Sequence, residues 1–169
     1  AAGREPAALP SVFTSTHGDL SITDYVCSTL ASDPRAMSPT KFHNSVHNAA
    51  AGYWTIGAGC MQAATAISAY DASFAQGLVE AMLQLDAGAD AVLLVGYDTG
   101  ATGPLRSVHD CTGLLGGALI LSKQGNGPRI CVDFADGVTA SPGALGIHAG
   151  GNAMAPMLPL RTWAGTVPM

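Results

Sequence analysis

This 169-residue sequence is short of charge: 11% of its residues are charged, against about 25% in ordinary globular chains. Seven are basic and the net charge is −5. That excludes a nucleic-acid surface, which needs a basic face to track phosphates. No uninterrupted apolar run reaches the ~18 residues of a membrane span, and no secretory leader is expected. The expectation is a cytoplasmic protein with no membrane span. The first residue is Ala1 rather than Met, so an N-terminal part of the functional protein is expected to precede it.

Other signatures are missing as well. Cys27, Cys60, Cys111 and Cys131 form no C-x-x-C pair, so no zinc cluster is expected and the thiols read as small buried hydrophobes of a reducing compartment. No G-x-S-x-G occurs, and a Ser73/His109/Asp98 triad would lack the turn that presents its serine. Gly113, Gly116 and Gly117 lead into a strand and lack a Lys-Ser/Thr ending. They fit close backbone packing rather than a phosphate loop. No set of ligands implies a metal or another cofactor.

What is present is apolar: 48% of the residues are hydrophobic. So much to bury with so little charge points to a chain covered on several sides, and hence to a partner subunit. The length suits one domain over residues 1–169. Residues 11–15 read as a short buried strand. A helix follows to residue 32, with Ser21 as its cap and Asp24 completing a near capping box. Asp33-Pro34 ends it. Ser38-Pro39 opens a second helix carrying Phe42, Val46, Ala49, Ala50 and Tyr53, and residues 56–62 form a glycine-rich turn. Then come a strand over 63–70, a helix over 72–85 and a strongly apolar strand over 89–96. After a loop over 97–111, strands over 114–122 and 128–134 form a hairpin. Residues 141–156 read as loop, and a last helix starts near Met157. This order gives an α/β domain with helices layered against a mixed β-sheet.

The centre of interest is the passage from Ser68 to Phe74. A strand ends at Tyr70 and a helix begins just past Asp71, the arrangement in which many α/β enzymes present a nucleophile. Asp71 there can cap the helix or stand in a pocket at its head. Facing the positive end of the helix dipole it would stay ionised, a poor general acid and a weaker nucleophile than a thiolate. His43 and His47, at i and i+4, share one face of the second helix. The spacing suits a metal, yet no third ligand stands out. Packing near a subunit interface or a pocket role is the better fit. His17, His109 and His148 sit in glycine-containing loops and read as surface or packing residues.

Several of these segments together carry a resemblance. Ser38-Pro39, Asn48-Ala49-Ala50-Ala51-Gly52 and Ser68-Ala69-Tyr70-Asp71-Ala72 follow one another without a gap, as do the corresponding segments of β-ketoacyl synthases, condensing enzymes of the thiolase fold. The stretch from Gly88 to Gly96, the glycine-rich strand from Gly113 and the strand from Arg129 continue the likeness to about Ser141. The phrase from Ser38 to Asn48 resembles a short, chain-length-factor-like branch of polyene and aryl-polyene pathways.

The resemblance implies half of a thiolase-like fold, in which the family's nucleophilic cysteine falls on Asp71. The family's two further catalytic residues match nothing here. It further implies a catalytically incomplete subunit that pairs with an active β-ketoacyl synthase, or with a second copy of itself, and serves an acyl carrier protein in fatty acid, polyene or polyketide synthesis. The candidate pocket or interface residues are His43, His47, Asn48, Tyr70, Asp71, Ser73 and Phe74. Two other readings stand: an acyl-thioester transferase or hydrolase using Asp71 beside His43 or His47, and a small-molecule binder on a thiolase-like scaffold.

Overall fold

The structure, a computed structural model, describes residues 3–109, 111–125, 127–132 and 143–158. Four strands form one mixed sheet in the order β2-β1-β3-β4. They are β1 (Ser11–Thr14), β2 (Ala64–Ile67), β3 (Ala91–Asp98) and β4 (Leu115–Ser122). β1 lies parallel to β2 and to β3, with Val12 opposite Thr65 and Leu94, while β3 and β4 are antiparallel, Val95 facing Ala118. The helices are α1 (Leu20–Ser32), α2 (Pro39–His43), α3 (Ala49–Ala58), α4 (Ser73–Asp86) and α5 (Gly143–Ala149).

The sheet is covered on both faces, so β3 reads as a continuous apolar run. Its Val92 and Leu94 pack with Val12 against Phe74, Leu78, Ala81 and Leu85 of α4. Ala91 and Leu93, one residue out of phase, join Leu9, Val95 and Ile120 around Trp54 of α3. The α4 residues recur at the spacing of one helix face. Two glycines bring that face down onto the sheet. A Cβ on Gly77 would overlap the Thr14 methyl, and one on Gly96 would stand 2.7 Å from the Phe74 ring.

Several sequence expectations change. Asp19, not Ser21, caps α1: its carboxylate accepts from the Ser21 and Ile22 N–H groups at 3.0 and 3.3 Å. The single helix expected after Ser38 is two. Ser38 caps α2 through the Lys41 N–H, but α2 stops at His43, where the Ser45 side chain competes for a backbone partner. The Ser45 hydroxyl takes the Phe42 carbonyl at 2.7 Å. Gly52 lies inside α3, and residues 56–58, expected as turn, extend that helix to a left-handed Gly59. Residues 128–132 hold no strand, and 133–134 lie outside the described residues, so the expected hairpin is not seen. The expected loop over 141–156 contains α5 and a short 3-10 turn, Ala155–Met157, which brings Met154 and Met157 into the core. Beyond residue 158 the expected last helix lies outside the described residues. Among the described residues, Cys60 and Cys111 are buried as expected, whereas Cys27 and Cys131 are exposed. No helix among them is long and apolar enough to cross a membrane.

Candidate functional site

Three loops leave the carboxyl ends of the parallel strands side by side, the edge at which open α/β sheets place their sites. They are residues 15–19 after β1, 68–72 after β2 and 99–102 after β3. Their foundation is Asp98, the last residue of β3, which is fully buried. The Ser15 hydroxyl donates to its carboxylate at 2.6 Å, the Thr16 N–H to both oxygens at 3.0 Å, and the His17 N–H at 3.3 Å. A carboxylate here is held by hydrogen-bond donors rather than by a cation, and it fixes the turn after β1. On the far side of that turn, His47 Nε2 donates to the Ser15 carbonyl at 2.8 Å.

The elbow rests on this turn. Ser68 donates its hydroxyl to the Thr16 carbonyl at 2.8 Å. Tyr70 has a φ of 48°, the only positive φ of a non-glycine among the described residues. A non-glycine there costs about 1–2 kcal/mol, a strain that concentrates at functional turns. Ser73, the first residue of α4, holds the bend from inside: its Oγ accepts from the Ala69 N–H at 2.9 Å and donates to the Tyr70 carbonyl at 2.6 Å.

Asp71 lies within a 3-10 turn, Tyr70–Ala72, and is exposed. It does not cap α4. The N-cap position is Ala72, which makes no side-chain cap. The left-handed Tyr70 and the tight turn displace the carboxylate one residue before the position from which it could reach the first N–H groups. The nearby imidazole is neither of those expected. His43 and His47 do not share a helix face, since α2 ends at His43, and no hydrogen bond or ion pair joins either to Asp71 among the described residues. Asp71 instead acts electrostatically on His17.

His17 packs against His109, ring centroids 4.2 Å apart at a 45° tilt. Burial and then His109 lower the His17 pKa, with Asp98 and Asp71 opposing them. Close by, burial and then Asp98 push the Tyr97 phenol up. As sequence, His17 and His109 read as surface or packing residues, with nothing to bring them together. A usable signal was present: a short polar turn, Thr16-His17-Gly18-Asp19, directly follows a buried strand.

Of the other candidates, Ser73 and Phe74 are buried in the elbow and core, Tyr70 and Asp71 face outward, and Asn48 stands exposed before α3. No group of three or more metal-binding side chains occurs among the described residues. A cleft of about 410 Å³ lined by Arg4, Pro10, Gln62 and Asp90 lies at the amino ends of the strands, away from the elbow, and no candidate residue borders it.

Fold and elbow define a thiolase-like α/β domain presenting a turn between strand and helix at the carboxyl edge of its parallel strands. The family model for the β-ketoacyl synthase N-terminal domain matches residues 3–150, and the chain belongs to that family. It is similar to a chain of the solved ketosynthase ApeO in complex with its chain length factor ApeC from Xenorhabdus doucetiae, at 33% identity with a TM-score of 0.65. The match covers 70% of this chain and 51% of that one, so this chain spans about half the length of that relative. A β-ketoacyl synthase from Burkholderia phymatum STM815 matches at 11% identity and a TM-score of 0.48, over 65% of this chain and 28% of that one, a likeness too slight to carry an argument. No curated protein matches.

Proposed function

We propose that this chain is a catalytically incomplete β-ketoacyl synthase-like subunit, a chain-length-factor-type partner of an active synthase in cytoplasmic fatty acid, polyene or polyketide synthesis. The observation that carries the reading is Asp71. On the sequence resemblance it takes the place of the family's nucleophilic cysteine, and a carboxylate is a weaker nucleophile toward a thioester than a thiolate. Neither remaining cysteine near the sheet takes its place. Cys60 is buried at the opposite edge, its thiol on the Leu9 carbonyl, and Cys111 is buried with its thiol on the Thr99 carbonyl.

A partner is supported by what the fold leaves uncovered. β2 is an edge strand of four uncharged residues, without the charges that guard an open edge. α4, next to it, exposes Met82 and Leu83 and carries no basic residue. In this reading that face meets a cysteine-bearing synthase, or a second copy of the chain, and the pair serves an acyl carrier protein. Co-expression with a cysteine-bearing synthase subunit tests it. The expected result is a stable complex, intact after Asp71→Ala, in which that change alters at most the product-length profile. A chain that purifies alone, with no synthase bound, would contradict the proposal.

A further inference from the structure

We propose that His17 and His109 form a proton-sensing pair that sets the posture of the elbow at Tyr70–Asp71. Both rings are tethered by their own backbone. His17 belongs to the turn clamped on Asp98. His109 follows the 3-10 turn Gly103–Ser107, its N–H on the Leu105 carbonyl at 2.9 Å and its carbonyl accepting from the Cys111 N–H at 2.8 Å. The ring centroids are 4.2 Å apart at a 45° tilt. Two positive charges at that separation repel, so a second proton has to turn one ring out.

The charged groups facing His17 come from three elements. Asp98 on β3 accepts from its N–H, Asp71 on the elbow raises its pKa, and the His109 ring lies against it at a 45° tilt. On the other side of the turn, His47 is close to Gly18. Burial and then His109 lower the His17 pKa, while Asp98 and Asp71 raise it. Once protonated, His17 attracts Asp71, the exposed member of the set, because Asp98 is already engaged with Ser15 and Thr16. The turn and the elbow also share the Ser68 to Thr16 hydrogen bond, so a change at His17 reaches residues 68–71 by two routes. The elbow thus has one posture with Asp71 free toward solvent and another with Asp71 drawn to the β1 turn. This device stands apart from the proposed pairing with a synthase and does not depend on it.

The test is a nuclear magnetic resonance titration of the chain between pH 5 and 8, following the histidine rings and the backbone amides of residues 69–73. The expected result is a His17 midpoint below 6.5 that the Asp71 and Ala72 amides share. His109→Asn moves the His17 midpoint up. Asp71→Asn, at an exposed position with no fold-breaking consequence, moves it down and silences the elbow amides. Elbow amides that stay flat through the His17 transition overturn the proposal, as does a His17 midpoint unmoved by Asp71→Asn. If His109→Asn does not fold, the wild-type and Asp71→Asn titrations still decide.

Discussion

The Ser15 hydroxyl donates to the fully buried carboxylate of Asp98 at 2.6 Å, joining the end of β3 to the turn after β1. Through Thr16 and His17, the same carboxylate fixes the ground on which the elbow stands. Removing it leaves buried donors without a partner. Asp98→Ala is expected to cost about 3 kcal/mol, since unpaired buried donors carry their full desolvation cost, and Asp98→Asn less, because one acceptor remains. Urea denaturation measures both. No loss for Asp98→Asn beside a full loss for Asp98→Ala would show that the side chain matters only as packing.

Ser73→Ala removes the hydroxyl that bridges Ala69 and Tyr70. The expected loss is about 1–2 kcal/mol, as for a lost helix cap. The Ala69 amide should lose hydrogen-exchange protection while the centre of β3 keeps it. A uniform loss across the sheet would place the effect elsewhere.

Tyr70 holds a left-handed backbone and its side chain is 76% exposed. Tyr70→Gly therefore relieves strain while giving up little packing. It is expected to stabilise the fold by about 1 kcal/mol, whereas Tyr70→Ala, which keeps a Cβ, gains nothing. A thermal melt in which glycine does no better than alanine would contradict the strained-elbow description.

Gly77→Ala forces a Cβ against the Thr14 methyl. About 1–3 kcal/mol of destabilisation follows from overpacking of this kind. Thr14→Ser deletes that methyl and keeps the hydroxyl that donates to the Val95 carbonyl at 3.1 Å. It should recover part of the loss in the double variant, and a double-mutant cycle with no coupling would sink the explanation.

These elements were unequally legible. β3 and α4 could be read because burial imposes their pattern locally: an apolar run for a strand covered twice, and one apolar face for Phe74, Leu78, Ala81 and Leu85. The elbow's place was legible for the same reason, as a boundary between two such patterns. The break at Asn44–Asn48 was not. Beside the local Ser45 bond it rests on a long-range one, His47 to Ser15, that no helical period announces. Capping was one of the two roles open to the carboxylate at 71, because Asp favours it. The positive φ at Tyr70, a tertiary consequence, moved it off position. His17 and His109 meet only because β1 and β3 are neighbours in the sheet.

Stability should also depend on pH through His17. Its folded pKa lies below the ordinary 6.5, from burial first and His109 second. The unfolded chain therefore binds the proton more readily, and folding stability contributed by this group is full above pH 6.5. It is lost as the pH falls from 6.5 through the folded value. His17→Gln should flatten that part of the curve relative to wild type. An unchanged slope would assign the acid loss to other groups.

The central claim is that the elbow carries no nucleophile. Intact-protein mass spectrometry of the purified pair, after incubation with an acyl-carrier thioester, tests it most directly. The account predicts an acyl adduct on the synthase subunit, none on this chain, and the same pattern after Asp71→Ala. An adduct on this chain that disappears with Asp71→Ala would contradict it.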